Sequence, residues 1–260
     1  FSQHGCFASL RVHEWRKNVG PAENGRVIVS WALRISDRFI GLDDDVLAGP
    51  QFLAFMNNGL TQFEYDSKFL AVCGWLPPTW TGTPSQPFLA EGWRGYGFAM
   101  FGNRWRSLED AWAGFVRLDR SKQYNALKRF AQRADSVSAL QLVMRNELTA
   151  RDTQFSLLAF EQGLHSLFPP VSLTQNLGLD GSGSHSVINP VLGSRKASSS
   201  TIAVSPNPPL FHPAQTAELS FGRKFRLVLW TGIVIAASSS TLFYRSFRWL
   251  RDKRIESRRH

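Results

Sequence analysis

The sequence predicts an α/β fold: a mostly parallel sheet flanked by helices, followed by a basic hydrophobic helix at the C-terminal end. Three observations carry this. Apolar runs at 39–42 and 69–75 are short and bounded by turn residues, as buried strands are. The segments between them, 22–33 and 51–63, repeat apolar residues at helical spacing. Beyond residue 186 the pattern dissolves into Ser and Pro, then into an uncharged stretch set between basic clusters.

Residues 9–14 (Ser-Leu-Arg-Val-His-Glu) read as a short strand. Asn18-Val19-Gly20-Pro21 is turn chemistry, with Pro suited to an early helical position. Ala22 to Leu33 follows as a helix, with Val27, Ile28, Ala32 and Leu33 on one face. With the strand at 39–42 this makes a strand–helix–strand crossover, the unit of a parallel sheet. Gly49-Pro50 breaks the chain, and Gln51 to Phe63 reads as a helix with Phe52, Leu53, Phe55, Met56 and Leu60 inward. Residues 69–75 form a buried strand ended by Leu76-Pro77-Pro78, and 77–95 read as an ordered Pro/Gly/Trp-rich loop. The alternation of aromatic and small residues in 93–101 predicts a strand whose glycines admit a close neighbour. Residues 107–133 and 136–150 read as helical, and Asp152 suits the N-cap of a helix from Thr153 to Gln162. Leu167 to Leu173 is extended, Asn176 to His185 is a glycine-rich turn, and 187–220 reads as a linker.

The composition narrows the function. A 43% apolar share with twenty Phe supplies a core, which excludes global disorder. Cys6 and Cys73 form neither a disulfide framework nor a metal-spaced pair, and both suit small buried side chains in a reducing compartment. The net charge of +10 is local: residues 221–260 hold ten of the thirty Lys and Arg against Asp252 and Glu256. The body is therefore nearly neutral and lacks the basic face of a nucleic-acid binder. Residues 227–244 carry no formal charge, and basic residues flank them on both sides. That pattern fits an interfacial helix on anionic lipid at least as well as a membrane span. The chain opens on Phe1 without a signal-peptide pattern, as expected of a fragment or a processed product.

Three features could share one site: Asp43-Asp44-Asp45, Asp152, and the turn from Asp180 to His185. Three adjacent carboxylates repel one another unless water or a cation screens them, and a strand end is where open α/β sheets keep ligands. Oxygen ligands there suit Mg²⁺ or Mn²⁺, an ion that offsets charge on a diphosphate leaving group. A carboxylate such as Asp152 can act as base toward an acceptor hydroxyl, and His185 can join a Mn²⁺ shell. Each has a plain alternative: a solvated acidic turn, a helix cap, a polar loop residue.

The segments occur in a particular order. Asn18-x-Gly20 with Asn24 precedes a helix and then Leu42-Asp43-Asp44-Asp45-Val46. Gly49-Pro50-Gln51-Phe52-Leu53 with Phe55-Met56-Asn57 follows, then Cys73-Gly74-Trp75. Tyr96-Gly97-Phe98-Ala99-Met100-Phe101 with Arg104-Trp105 comes next, and the block from Pro169 to His185 closes the series. Over about residues 10–186 the chain resembles glycosyltransferases of the GT-A (Rossmann-like) fold, specifically the family-2-like bacterial sugar transferases related to the N-acetylglucosaminyltransferase I group. The closest match is the last block, similar to Pro-x-Val-Ser-Leu-x-x-Asn-x-Gly-x-Asp-Gly-Ser-Gly-Thr-His. Asp43 stands where that family has Glu, and its first nucleotide-binding βα unit has no counterpart before residue 10.

The resemblance implies metal-dependent transfer of a hexosyl or N-acetylhexosaminyl group, with inversion, from a nucleotide-sugar donor to a polysaccharide or glycolipid acceptor. It implies Asp45 and His185 as metal ligands for Mn²⁺ or Mg²⁺, and Asp152 as the catalytic base. Asp43, Asp44, Asn18, Gly20, Gly97, Asp180, Gly181 and Ser182 would bind the donor. The expected organisation is a domain over 1–186 with its first βα unit missing, a linker over 187–220, and a membrane-associating helix over 221–260. That helix would hold the protein on an anionic membrane surface at its cytoplasmic face, with no nucleic-acid partner. A non-catalytic membrane-bound remnant of the fold is the alternative, and a metal-dependent phosphotransferase or nucleotidyltransferase a weaker third reading.

Overall fold

The computed structural model describes residues 9–77, 80, 82–133, 151–177, 197–200 and 202–210. The described elements are α1 (Pro21–Ala32), β1 (Arg38–Gly41), β2 (Val46–Ala48), α2 (Phe52–Gln62), β3 (Phe69–Cys73) and β4 (Phe88–Glu91). After them come β5 (Phe98–Phe101), α3 (Gly102–Phe115), α4 (Arg120–Arg133), α5 (Arg151–Gln162), β6 (His165–Phe168) and β7 (Thr174–Asn176). Five strands form one sheet in the order β1-β5-β3-β6-β4, and β2 pairs with β7 in a two-stranded ladder. The class is α/β.

The sheet is not mostly parallel. β5 runs antiparallel between β1 and β3, β4 runs antiparallel to β6, and only β3 and β6 pair in parallel. β1, β3 and β6 nevertheless share one direction, so their C-terminal ends meet at one edge beside the start of β5. Apolar runs reveal burial but not direction, which is set by the connections. Residues 9–14 have no regular structure, so the expected crossover through a first strand is absent from the described residues.

Each face of the sheet carries a core. On β5 the alternation is clean: Phe98 and Met100 enter one cluster, Ala99 and Phe101 the other. The first cluster takes α1, α3, α4 and α5, with Trp93, Trp105 and Phe155 buried together at ring separations of 4.9–5.5 Å. The second takes α2 through Phe52, Phe55, Met56 and Leu60. In α1, Ala32 and Leu33 pack against the core as expected and Val29 is buried with them, while Ile28 is half exposed. Leu53 of α2 also faces solvent. The single helix expected over 107–133 divides at 116–119, where the Asp119 side chain accepts from the Lys122 N–H (3.0 Å) and caps α4.

The loop read over 77–95 contains β4, and Trp80 packs it against Phe168 at 4.9 Å. Residues 197–200 and 202–210, expected in the linker, lie against the domain. Ser198 N–H donates to the Ser172 carbonyl, Ile202 and Val204 cover the second core, and Leu210 bridges Leu89 of β4. No helix among the described residues is long and apolar enough to cross a membrane. The segments 136–150 and 221–260 lie outside the described residues.

The opposite edge holds an ionisable staple. Asp66, in the α2–β3 turn, meets His165 Nε2 at 3.1 Å, and His165 N–H donates to the Lys68 carbonyl at the start of β6. Burial pushes the Asp66 carboxyl up. Hydrogen bonds from Lys68 N–H, His165 and Phe69 N–H together outweigh it and hold the group below its ordinary value. A depressed folded value contributes stability above the ordinary carboxylate range, and that stability is lost as pH falls through the folded value. Urea midpoints measured down an acid series are therefore expected to fall less steeply in Asp66→Asn than in the parent. Parallel curves would show that the staple does not titrate.

Candidate functional site

The apolar strand β1 ends at Gly41, and the acidic turn follows at the edge where β3 and β6 also end. Asp43 and Asp44 are exposed and Asp45 is half buried. Val46 N–H donates to the Asp43 carbonyl at 3.1 Å, closing the turn so that β2 leaves at once toward β7. This ladder pairs Val46 with Asn176 and Ala48 with Thr174, joining the acidic turn to a block 131 residues later. Leu177 N–H donates to the Asp45 carbonyl at 2.7 Å, and Asn176 Nδ2 donates to Asp45 Oδ2 at 3.3 Å.

The same block is tied to the ends of β3 and β5. Leu173 N–H donates to the Gly74 carbonyl (2.7 Å), and Gly74 N–H to the Gly97 carbonyl (2.8 Å). Ser172 Oγ accepts from Leu76 N–H (2.9 Å), and Thr174 Oγ1 donates to the Tyr96 carbonyl (2.6 Å). Gly97 has φ +81°, and a Cβ there would lie 2.7 Å from Thr174 Cγ2. The close neighbour expected at this glycine is therefore the chain's own β7.

Asn18 and Gly20 build the start of α1. Asn18 Oδ1 accepts from Gly20 N–H at 2.8 Å, and Gly20, with φ +80°, turns the chain into Pro21. A left-handed turn before an N-terminal Pro favours Gly and an Asx partner, so local structure accounts for both residues. Asp152 lies inside the first turn of α5, because the helix starts by Arg151; it is not the N-cap. α5 runs down toward Leu164, which leads into the upward strand β6, and one turn past Asp152 the Phe155 ring meets Trp93 at 5.5 Å. Trp93 in turn packs edge-on against Phe98, at the start of β5. The start of α5 thus lies toward the edge that carries the acidic turn. Asp180, Gly181, Ser182 and His185 fall outside the described residues.

Asn176 is the residue that sequence reasoning did not place in the site. It sits within the Pro169–His185 block, but only the β2–β7 ladder shows it touching Asp45. Asn176 is buried (6% exposed), and its Oδ1 finds no hydrogen-bond donor among the described residues. Cys73, at the end of β3, is fully buried, which pushes its thiol up to about 12 and suits a packing role.

Carboxylate oxygens on an exposed turn are the ligand type a hard divalent cation takes. Among the described residues no three His, Cys, Asp or Glu side chains gather as a ligand group. An ion here would have at most one or two carboxylates as protein ligands. No family model and no curated protein matches the chain.

Proposed function

We propose that the chain carries a metal-dependent glycosyltransferase site of the GT-A type, moving a sugar from a nucleotide-sugar donor to a polysaccharide or glycolipid acceptor with inversion. The observation that supports this reading is the β2–β7 ladder. It sets Asp45 against Asn176 and so brings together the two segments most similar to that family, the acidic turn and the block from Pro169 onward. Asp45 and His185 are the residues that would hold Mn²⁺ or Mg²⁺; when bound, the ion offsets charge on the diphosphate leaving group. Asp43, Asp44, Asp180, Gly181 and Ser182 are the residues the resemblance assigns to donor binding. Asp152 is the candidate base that takes the proton from the acceptor hydroxyl.

Calorimetric titration of the full chain with a panel of nucleotide sugars tests the reading. Binding of at least one donor is expected with Mn²⁺ and not in EDTA. Binding that ignores the cation, or no binding across the panel, would count against it. The basic segment 221–260 is proposed to hold the site on anionic membrane. Co-sedimentation with phosphatidylserine-containing vesicles is expected to disappear when 221–260 is deleted, and undiminished sedimentation of the deletion would refute that assignment.

A further inference from the structure

We infer that residues 197–200 and 202–210 form a releasable clasp that holds β2, and through it the acidic turn, in place; this device stands whether or not the turn takes a cation. The β2–β7 ladder is only three residues long on each side. A two-stranded ribbon of that kind is marginal in water and depends on what flanks it. β7 is tied from within the domain, by Leu173 N–H to the Gly74 carbonyl (2.7 Å) and by Thr174 Oγ1 to the Tyr96 carbonyl (2.6 Å). β2 is the outer strand, with Leu47 and Ala48 exposed. Its end away from the turn is fixed at Gly49, whose N–H donates to the Leu173 carbonyl (2.8 Å) and which lies under the clasp. A Cβ on Gly49 would stand 2.5 Å from the Ser198 carbonyl oxygen and 3.5 Å from Ala197 Cβ. Ser198 N–H also donates to the Ser172 carbonyl at 2.8 Å, so one residue of the clasp meets both sides of the ladder.

From Ser198 the clasp crosses the second core, where Ile202 and Val204 pack half-buried. The Gln62 side-chain amide, at the end of α2, donates to the Ser205 carbonyl, and Leu89 N–H of β4 donates to the Pro209 carbonyl (2.9 Å). These anchors are sparse. Ser199, Ser200, Ala203, Pro206 and Asn207 are exposed, and Pro206, Pro208 and Pro209 have no N–H to offer the β4 edge. Segments with few buried apolar contacts and few backbone hydrogen bonds open at far lower free energy than a sheet core. β3 is such a core strand, buried at every residue and paired with both β5 and β6. Opening of the clasp uncovers Gly49 and removes the donor from the Ser172 carbonyl. The outer strand then leans on β7 alone. The turn that leads into it, held by Leu177 N–H at the Asp45 carbonyl (2.7 Å), loosens with it.

The test is amide hydrogen exchange on the full chain at constant pH and temperature, read in the clasp, in residues 46–49 with Leu177, and in β3 as reference. A chain carrying both Ile202→Ser and Val204→Ser loses the apolar seats of the clasp. Its exchange is expected to rise about 10-fold or more in the clasp and in residues 46–49 together, with β3 unchanged. A clasp that exchanges faster while residues 46–49 keep the wild-type rate would overturn the inference, and so would a clasp that the two substitutions leave unchanged. The unaltered chain gives a second measurement that does not depend on the variant folding. In a series of sub-denaturing urea concentrations, clasp and ladder amides are expected to lose protection together, below the opening free energy of β3. Ladder amides that open only with β3 would show that the clasp does not hold them.

Discussion

Asp45→Ala is expected to lower nucleotide-sugar turnover on the order of 100-fold or more, the scale for removing one preorganised electrostatic partner of a reacting group. Asp45 is the half-buried member of the triad and accepts from Asn176 in the ladder, while Asp43 and Asp44 are exposed. Asp44→Ala should therefore reduce donor affinity by a smaller factor and leave Mn²⁺ binding in place. The effect should also be separable from unfolding. Asp45 is only half buried, and deleting its carboxylate leaves one amide without its acceptor, a cost of about 1–3 kcal/mol. Thermal melting of the variant checks this, since a folded protein without turnover is the predicted outcome. Full turnover in Asp45→Ala would remove the residue from the site.

The largest effect on stability is expected at Phe155. Its ring is fully buried between Trp93 (5.5 Å) and Trp105 (4.9 Å) and fastens α5 to the first core. Truncation to Ala loses the transfer free energy of the ring and opens a cavity that two indoles cannot collapse into. Phe→Ala at such sites costs about 3–5 kcal/mol, against a total of about 5–15 kcal/mol for a native domain. Urea denaturation should show that loss as a large fall in midpoint. Tyr65 supplies the contrast: it is 92% exposed, and Tyr65→Ala should change stability by less than about 0.5 kcal/mol. A change at Phe155 below about 1 kcal/mol would mean that α5 is not anchored there.

Much of this architecture could be read from the chain. α2, β3 and the strand ahead of the acidic turn announce themselves because each is an apolar segment bounded by Gly, Pro or Asp, and the signal is local. Direction is not local. The antiparallel run of β5 follows from how the long segment 74–97 returns to the edge where β3 ends, and no property of Phe98–Phe101 encodes it. Residues 9–14 show the converse, since alternation alone does not make a strand without a partner. The Ser/Pro content of 197–210 concealed a packed segment, which Ile202 and Val204 seat on the second core together with backbone hydrogen bonds at Ser198 and Leu89. In the site, the acidic turn was legible as a run of like charges. Asn176 was not, because its meaning lies in a hydrogen bond spanning 131 residues.

The most direct measurement is release of nucleoside diphosphate by the full chain, with a panel of nucleotide sugars and a glycan or glycolipid acceptor, in Mn²⁺ and in EDTA. The predicted result is release from at least one donor that requires the ion and is lost in Asp45→Ala. Absence of release from every donor, or release indifferent to both EDTA and Asp45→Ala, would contradict a cation-dependent glycosyl-transfer site at the end of β1.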